Sequence, residues 1–191
     1  MTDTGWYPWD EDLKNSRSRS HLFRYVLARG VIEKDDLVVD AACGMGAGSA
    51  FLARHCRHVF GIDISPNAIH QARQKFGAIG NLSFIEADLD RTELPGCDVA
   101  VSIETIEHLV DPERFAKELR RAARKFIVVS APIIRCLPHP FHKHEFNEQS
   151  FKKLMVGDGW DWWGYFGQGH LPAAPGNTVN GTYLVGILAK F

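Results

Sequence analysis

The stretch VVDAACGMGAGS, residues 38–49, joins a short apolar run to a loop in which every second residue is glycine. A β-branched run that stops at glycines is typical of a buried strand, and the glycines let the backbone approach a ligand closely. The spacing GxGxG differs from the GxGxxG of dinucleotide-binding loops, and no GK[ST] follows as in a P-loop. Asp40, before the loop, suits a cationic ligand better than a phosphate.

Strand-like and helix-like segments alternate on both sides of this loop. Strands are predicted over residues 36–42, 58–64, 82–87, 97–103, 125–131, 159–166 and 181–191. Helices are predicted over residues 15–29, 47–56, 66–76 and 111–124. This alternation predicts an α/β fold with a doubly wound, mostly parallel sheet. The last two strands have only a Gly/Pro/Asn-rich segment between them, which predicts that they pair antiparallel.

Acidic residues stand at the ends of the first three predicted strands. Asp40 precedes the glycine loop, Asp63 ends the second strand and Asp88 follows the third. Ligands of open α/β sheets bind outside the carboxyl ends of the strands, and a carboxylate after the second strand can accept both ribose hydroxyls. Three acids without a basic partner suit an adenosine ligand that carries no phosphate.

These motifs together resemble the class I S-adenosylmethionine-dependent methyltransferases of the type 11/12-like group. VVDAACGMGAGS is similar to the first family motif, with Ala42 where a glycine is usual, and GIDISPNAI, EADLD and CDVAVSIETIEHL are similar to the later motifs. The resemblance implies a seven-stranded Rossmann-like sheet in the order 3-2-1-4-5-7-6 with the last strand antiparallel.

The resemblance also implies which residues contact S-adenosylmethionine. Asp40 would lie near the methionine amino group, Asp63 would bind the ribose, and Asp88 with the backbone of Leu89 would read the adenine. The full set of expected cofactor-binding residues is Asp40, Ala42, Gly44, Gly46, Asp63, Ile64, Asp88, Leu89 and Ser102.

The N-terminal segment, residues 1–35, is predicted to add a helix and a flap to a core of residues 36–191, all within one domain. A helical face with Leu22, Tyr25, Val26 and Arg29 predicts packing on the sheet edge. Arg17, Arg19 and His21 are alternative cations for the methionine carboxylate, and Trp6, Tyr7 and Trp9 are candidates for the flap.

The stretch SIETIEHL, residues 102–109, places two carboxylates and an imidazole after the fourth strand. In a helical turn, Glu104, Glu107 and His108 share one face. The later segment FHKHEFNEQSF, residues 141–151, can bring His142 or His144 beside them. Such a set suits Mn²⁺, Co²⁺ or Zn²⁺, and suits Mg²⁺ less well.

This region is similar to ubiquinone-pathway O-methyltransferases and to small-RNA 2′-O-methyltransferases, and in the second group His144 is the better match. The expected metal ligands are therefore Glu104, Glu107, His108 and His144. His108, His144 and Glu104 are the expected catalytic residues. The alternative is that Glu104 caps the turn, His108 packs under the substrate and His144 orders a loop.

Composition narrows the classes of function. The chain has 191 residues and a net charge of −1, which argues against a broad phosphate-binding surface. The acidic, aromatic start MTDTGWYPWDED predicts no secretory signal, no apolar run is long enough to span a membrane, and four scattered cysteines predict a cytoplasmic protein with reduced thiols. We expect methyl transfer to an oxygen or nitrogen of a small molecule. A metal-dependent RNA 2′-O-methyltransferase and a non-catalytic S-adenosylmethionine-binding regulatory module are the alternatives.

Overall fold

The computed structural model describes residues 16–133, 141–168 and 183–191. The strands are β1 (Leu37–Ala41), β2 (His58–Asp63), β3 (Leu82–Glu86), β4 (Cys97–Ile103), β5 (Ala123–Pro132), β6 (Trp160–Gln168) and β7 (Tyr183–Lys190). The helices are α1 (Ser16–Arg29), α2 (Ala47–Ala53), α3 (Pro66–Phe76), α4 (Pro112–Ala122) and α5 (Glu148–Met155), with a 3-10 turn at Ile106–His108. None of the helices in these ranges is long and apolar enough to cross a membrane.

The strands form one seven-stranded sheet in the order β3-β2-β1-β4-β5-β7-β6. Strands β1 to β5 pair in parallel, whereas β7 runs antiparallel to both β5 and β6. This topology confirms the predicted fold. The strand order reverses between β1 and β4, and in open α/β sheets such a switch point opens a crevice at the carboxyl ends of the strands.

Two apolar layers cover the sheet, because successive strand residues point to opposite faces. Val38 packs with side chains of α1, α2 and α3 on one face. Val39 packs with side chains of α4 and α5 on the other. Both valines are fully buried, as expected for parallel strands that helices cover on both sides.

The position of α1 differs from the prediction of a helix on the sheet edge, which is wrong. Its buried residues are Arg24, Tyr25 and Ala28, while Val26 and Arg29 are exposed. The Tyr25 hydroxyl donates to Asp40 of the central strand β1, and Arg24 forms an ion pair with Glu104 after β4. The helix therefore lies beside the switch point, where it supplies polar groups to the candidate site.

Helix α5 is an element that the sequence patterns did not predict. It has eight residues, of which Phe151 and Met155 are buried, too short a pattern to separate a helix from a loop. A capping box fixes its start, since the Asn147 side-chain Oδ1 accepts from the Ser150 backbone amide at 2.7 Å and the Ser150 hydroxyl accepts from the Asn147 backbone amide at 3.0 Å. The preceding residue, Phe146, bridges to Ile133 after β5, so residues 141–146 lie beside the sheet's carboxyl edge.

Candidate functional site

The glycine loop after β1 uses left-handed backbone conformations that favour glycine. Gly44 has φ +54° and Gly46 has φ +80°. A Cβ at Gly46 would lie 2.4 Å from the Phe84 ring, so this glycine is required for packing, whereas a Cβ at Gly44 would meet no described atom within 4 Å. Ala42 adopts φ +71° where the family motif has glycine. Gly44 thus leaves room for a ligand, and Ala42 carries backbone strain of about 1–3 kcal/mol.

Asp63 joins the glycine loop to the end of β2. Its Oδ2 accepts a hydrogen bond of 2.8 Å from the Gly44 amide, and its Oδ1 accepts one of 2.9 Å from the Ser65 amide. Each carboxylate oxygen has a second lone pair, so the half-buried group can still accept from ribose hydroxyls. Asp63 ends β2 as predicted, and its role as a ribose ligand stays a prediction.

Asp40 is fully buried beneath the loop. Its carboxylate accepts hydrogen bonds from the Ser49 hydroxyl at 2.6 Å and from the Tyr25 hydroxyl at 3.2 Å. Burial raises the pKa of Asp40 to about 6, and these hydrogen bonds oppose that rise only in part. Proximity to a methionine amino group stays a prediction for Asp40. Its visible contacts tie α1 and α2 to β1.

Replacing Asp40 with asparagine is expected to remove a pH dependence of stability. The folded pKa is about 6 and the ordinary value is 3.8, so the folded protein binds this proton more tightly than the unfolded chain. The Asp40 contribution to the free energy of unfolding is therefore highest below pH 4 and falls by about 3 kcal/mol as the pH rises to 6 and above. Denaturant unfolding from pH 4 to 7 should show the difference between wild type and Asp40→Asn changing by this amount. A difference that is constant with pH would contradict the assignment.

Three of the predicted cofactor-binding residues, Ile64, Asp88 and Leu89, follow the ends of β2 and β3. The Asp88 carboxylate accepts from the Asp90 amide at 2.9 Å and stays partly open to solvent. Leu89 is buried, while the Ile64 side chain is 62% exposed beside Asp63. A purine ring can pack on such an apolar surface while a carboxylate accepts from its amino group. Ser102 lies inside β4 with a buried side chain.

The described part of α1 adds Arg24 to the candidate cations of the N-terminal segment. Trp6, Tyr7, Trp9 and the side chains of Arg17 and Arg19 lie outside the described part of the chain. Burial, with help from the Arg24 charge, lowers the pKa of His21 to about 3, so His21 is neutral at pH 7. Arg24 is buried, pairs with Glu104, and has its guanidinium carbon 4.2 Å from the centre of the Tyr183 ring. No sequence pattern pointed to Arg24, because an arginine on a helix is usually solvated.

The turn after β4 brings together three potential metal ligands, and this set differs from the four predicted ones. Glu107, His108 and His142 each offer one ligand atom, and these atoms all lie within 4.8 Å of one another. Glu107 is 1% exposed, its Oε2 has no hydrogen-bond partner among the described residues, and burial raises its pKa to about 8. His108 Nε2 lies 3.8 Å from Glu107 Oε1.

Glu104 and His144 are absent from this group, which corrects the prediction. Glu104 has φ +52°, so the chain turns sharply after β4 and its carboxylate pairs with Arg24. The His144 ring stacks with Phe146 at 6.2 Å and lines a groove of about 630 Å³ between α4 and α5. The amides of Lys143 and His144 both donate to the Glu107 carbonyl. This pairing holds the segment that carries both histidines against the turn, and His142 is the one that lies with Glu107 and His108.

Comparisons with known proteins indicate the family of the chain. Residues 39–126 match the family described as Methyltransferase domain. A probable S-adenosylmethionine-dependent methyltransferase of Mycobacterium tuberculosis is 31% identical over 162 residues, which are 78% of this chain and 57% of that protein. An uncharacterized RNA methyltransferase of Chlorobaculum tepidum is 34% identical over 77 residues, 39% of this chain and 16% of that protein. The chain thus spans little more than half the length of the mycobacterial relative.

Solved structures share the fold at low sequence identity. A putative methyltransferase in complex with the Trm112 methyltransferase activator of Haloferax volcanii superposes with a TM-score of 0.73 at 17% identity, over 90% of this chain and 91% of that chain. The magnesium protoporphyrin IX methyltransferase of Synechocystis, with bound S-adenosylhomocysteine, superposes with a TM-score of 0.70 at 18% identity, over 92% and 86% of the two chains. With the family match, the strand order and the glycine loop together, the chain belongs to the class I S-adenosylmethionine-dependent methyltransferases.

Proposed function

We propose that this chain binds S-adenosylmethionine at the carboxyl ends of β1, β2 and β3 and transfers its methyl group. The observation that carries the proposal is Asp63, whose carboxylate holds the glycine loop in place and keeps lone pairs for ribose. Asp88 and the backbone of Leu89 receive the adenine, and Gly44 leaves room for the methionine portion. Arg24 supplies the positive charge beside the methionine carboxylate, because its buried guanidinium lies at the carboxyl end of β4, next to Glu104.

The methyl donor is already activated, so the protein has mainly to position the acceptor for an in-line displacement. We propose an oxygen or nitrogen of a small molecule as acceptor, as the net charge of −1 favours. RNA is the second candidate, because the partial similarity to an RNA methyltransferase favours it. We also propose that residues 1–191 form a single domain. A cytoplasmic location is part of the proposal too, because Cys43, Cys56 and Cys97 are buried free thiols.

We further propose that Glu107, His108 and His142 can hold a divalent cation beside the cofactor. The fit rests on the donor types and on Glu107, a buried carboxylate with an oxygen that no described residue satisfies. Mixed carboxylate and imidazole ligands suit Mn²⁺, Co²⁺ or Zn²⁺. The cation would supply Lewis-acid activation of an acceptor oxygen. Without a cation, His108 is placed to accept the acceptor's proton, with Glu107 beside it.

A methyl-transfer assay with a cell extract tests the activity and its acceptor class. Purified protein is incubated with S-adenosylmethionine labelled in the methyl group and with separate small-molecule and RNA fractions. We expect label in the small-molecule fraction, and none with the Asp63→Ala variant. Label in RNA would select the second candidate. Binding of the donor without label in any fraction would instead support the non-catalytic module.

A further inference from the structure

The segment 87–96 links the adenine side of the site to the acceptor side. It connects β3 to β4 and carries Asp88 and Leu89 at its start. The Asp90 carboxylate accepts from the Val110 amide at 2.9 Å and 3.0 Å, through its two oxygens, and from the Asp111 amide at 3.1 Å. These amides directly follow the turn Ile106–His108 and the next residue, Leu109. The Asp90 side chain therefore fixes the backbone just after the turn that bears Glu107 and His108.

Asp90 is also tied to the predicted adenine ligand. Its backbone amide donates to Asp88 Oδ1 at 2.9 Å. A continuous path of short polar contacts therefore runs from the Asp88 carboxylate through Asp90 to the backbone of Val110. Hydrogen bonds with an ionised acceptor are stronger than neutral ones, so Asp90 is a firm attachment despite its partial exposure.

Arg114 makes a second connection between the same two segments. Its Nη1 donates to the Leu89 carbonyl at 3.0 Å, and its Nη2 donates to the Thr92 carbonyl at 3.4 Å. Arg114 lies in the first turn of α4, whose start is capped by the Asp111 carboxylate accepting from the Arg114 amide at 2.9 Å. Arg114 thus holds the adenine segment from the helix that follows the acceptor-side turn.

We propose that Asp90 and Arg114 are positioning residues that tie the adenine-binding segment 87–96 to the acceptor-side turn Ile106–His108. Binding of adenosine at one end then orders the turn at the other, before any acceptor arrives. The inference rests on the proposed adenosine site but assigns residues that do not themselves contact the reacting atoms. If Asp90 were only a local cap of the backbone at Val110 and Asp111, its loss would affect that backbone alone. The proposed arrangement predicts an effect on the turn Ile106–His108 and on adenosine binding at segment 87–96.

The test follows the backbone amide signals of residues 106–108 by NMR while adenosine is added at fixed pH in the presence of a chelator. Adenosine lacks the methionine portion, so it occupies only the adenine end. In wild type we expect the signals of the turn to shift on saturation with adenosine. In Asp90→Ala the shift should be lost, and adenosine should bind about tenfold more weakly, as expected for one charge-assisted contact. Asp90→Asn keeps one acceptor oxygen and should retain part of the shift.

Glu113→Ala is the matched control, because it removes an exposed carboxylate from the same first turn of α4 but leaves the Asp111 cap and both backbone amides that Asp90 holds. It should behave as wild type in the adenosine titration. A turn that responds equally in Asp90→Ala and wild type, or that does not respond in wild type at full occupancy, would overturn the proposal. If Asp90→Ala does not fold, Asp90→Asn and Arg114→Gln carry the same comparison. A parallel titration of wild type with S-adenosylhomocysteine separates the two proposals. If neither adenosine nor S-adenosylhomocysteine binds wild type, the cofactor site itself is refuted.

Discussion

Asp63→Ala is expected to weaken binding of S-adenosylhomocysteine by about 10- to 150-fold, the equivalent of 1.5–3 kcal/mol for lost hydrogen bonds with a charged group. Three losses add in the same direction. The ribose loses its carboxylate acceptor, and the glycine loop loses the 2.8 Å bond between the Gly44 amide and Asp63. The Ser65 amide at the start of α3 loses its acceptor as well. Calorimetric titration of the folded variant measures the loss.

Asp35→Ala provides the control for this titration, because Asp35 is an exposed carboxylate in the turn before β1. It should bind S-adenosylhomocysteine as wild type does. Circular dichroism and thermal unfolding establish that Asp63→Ala is folded before its affinity is compared. Unchanged affinity in a folded Asp63→Ala protein would remove Asp63 from the cofactor site and, with it, the observation that carries the proposed function.

His142→Ala is expected to weaken Co²⁺ binding by about 100-fold or more, whereas His144→Ala should leave it unchanged. The two residues are two positions apart, and only His142 lies in the group with Glu107 and His108. His144 instead stacks with Phe146 and lines the groove between α4 and α5. Loss of a direct ligand should exceed the 10- to 100-fold effects of removing groups that only orient ligands.

Visible absorption of Co²⁺ reports this comparison, in protein without an added histidine tag. The matched pair controls for general effects of removing an imidazole from the segment 141–147. Equal loss in both variants, or loss only in His144→Ala, would contradict the three-residue site. Wild type that binds no Co²⁺, Mn²⁺ or Zn²⁺ would leave His108 as an acid–base candidate without a metal.

The fold could be predicted because parallel strands that are buried on both faces appear in the sequence as short, nearly continuous apolar runs. Strand β4 was predicted and observed over residues 97–103, and the caps and prolines at Ser65–Pro66 and Asp111–Pro112 place the starts of α3 and α4 where expected. Helix α5 was missed because its eight residues bury only two side chains. Hydrophobic periodicity identifies long elements well and single helical turns poorly.

The site was predictable only where backbone topology decides it. Asp63 and Asp88 follow strand ends, so the fold alone brings them to one edge. The members of the candidate metal group could not be predicted in this way, because they depend on the direction of each side chain. The expected helical face failed because Glu104 has φ +52° and turns toward Arg24. His142 and His144 are two positions apart, so the sequence does not decide which of them joins Glu107 and His108, and the structure has His142 there.

A crystal structure of the protein with S-adenosylhomocysteine would show whether the cofactor binds where we propose. We expect the ribose hydroxyls within hydrogen-bond distance of the Asp63 carboxylate, the adenine beside Asp88 and the Leu89 backbone, and the sulfur facing the group of Glu107, His108 and His142. A ligand bound elsewhere on the molecule, or an adenosine oriented away from Asp63, would contradict it.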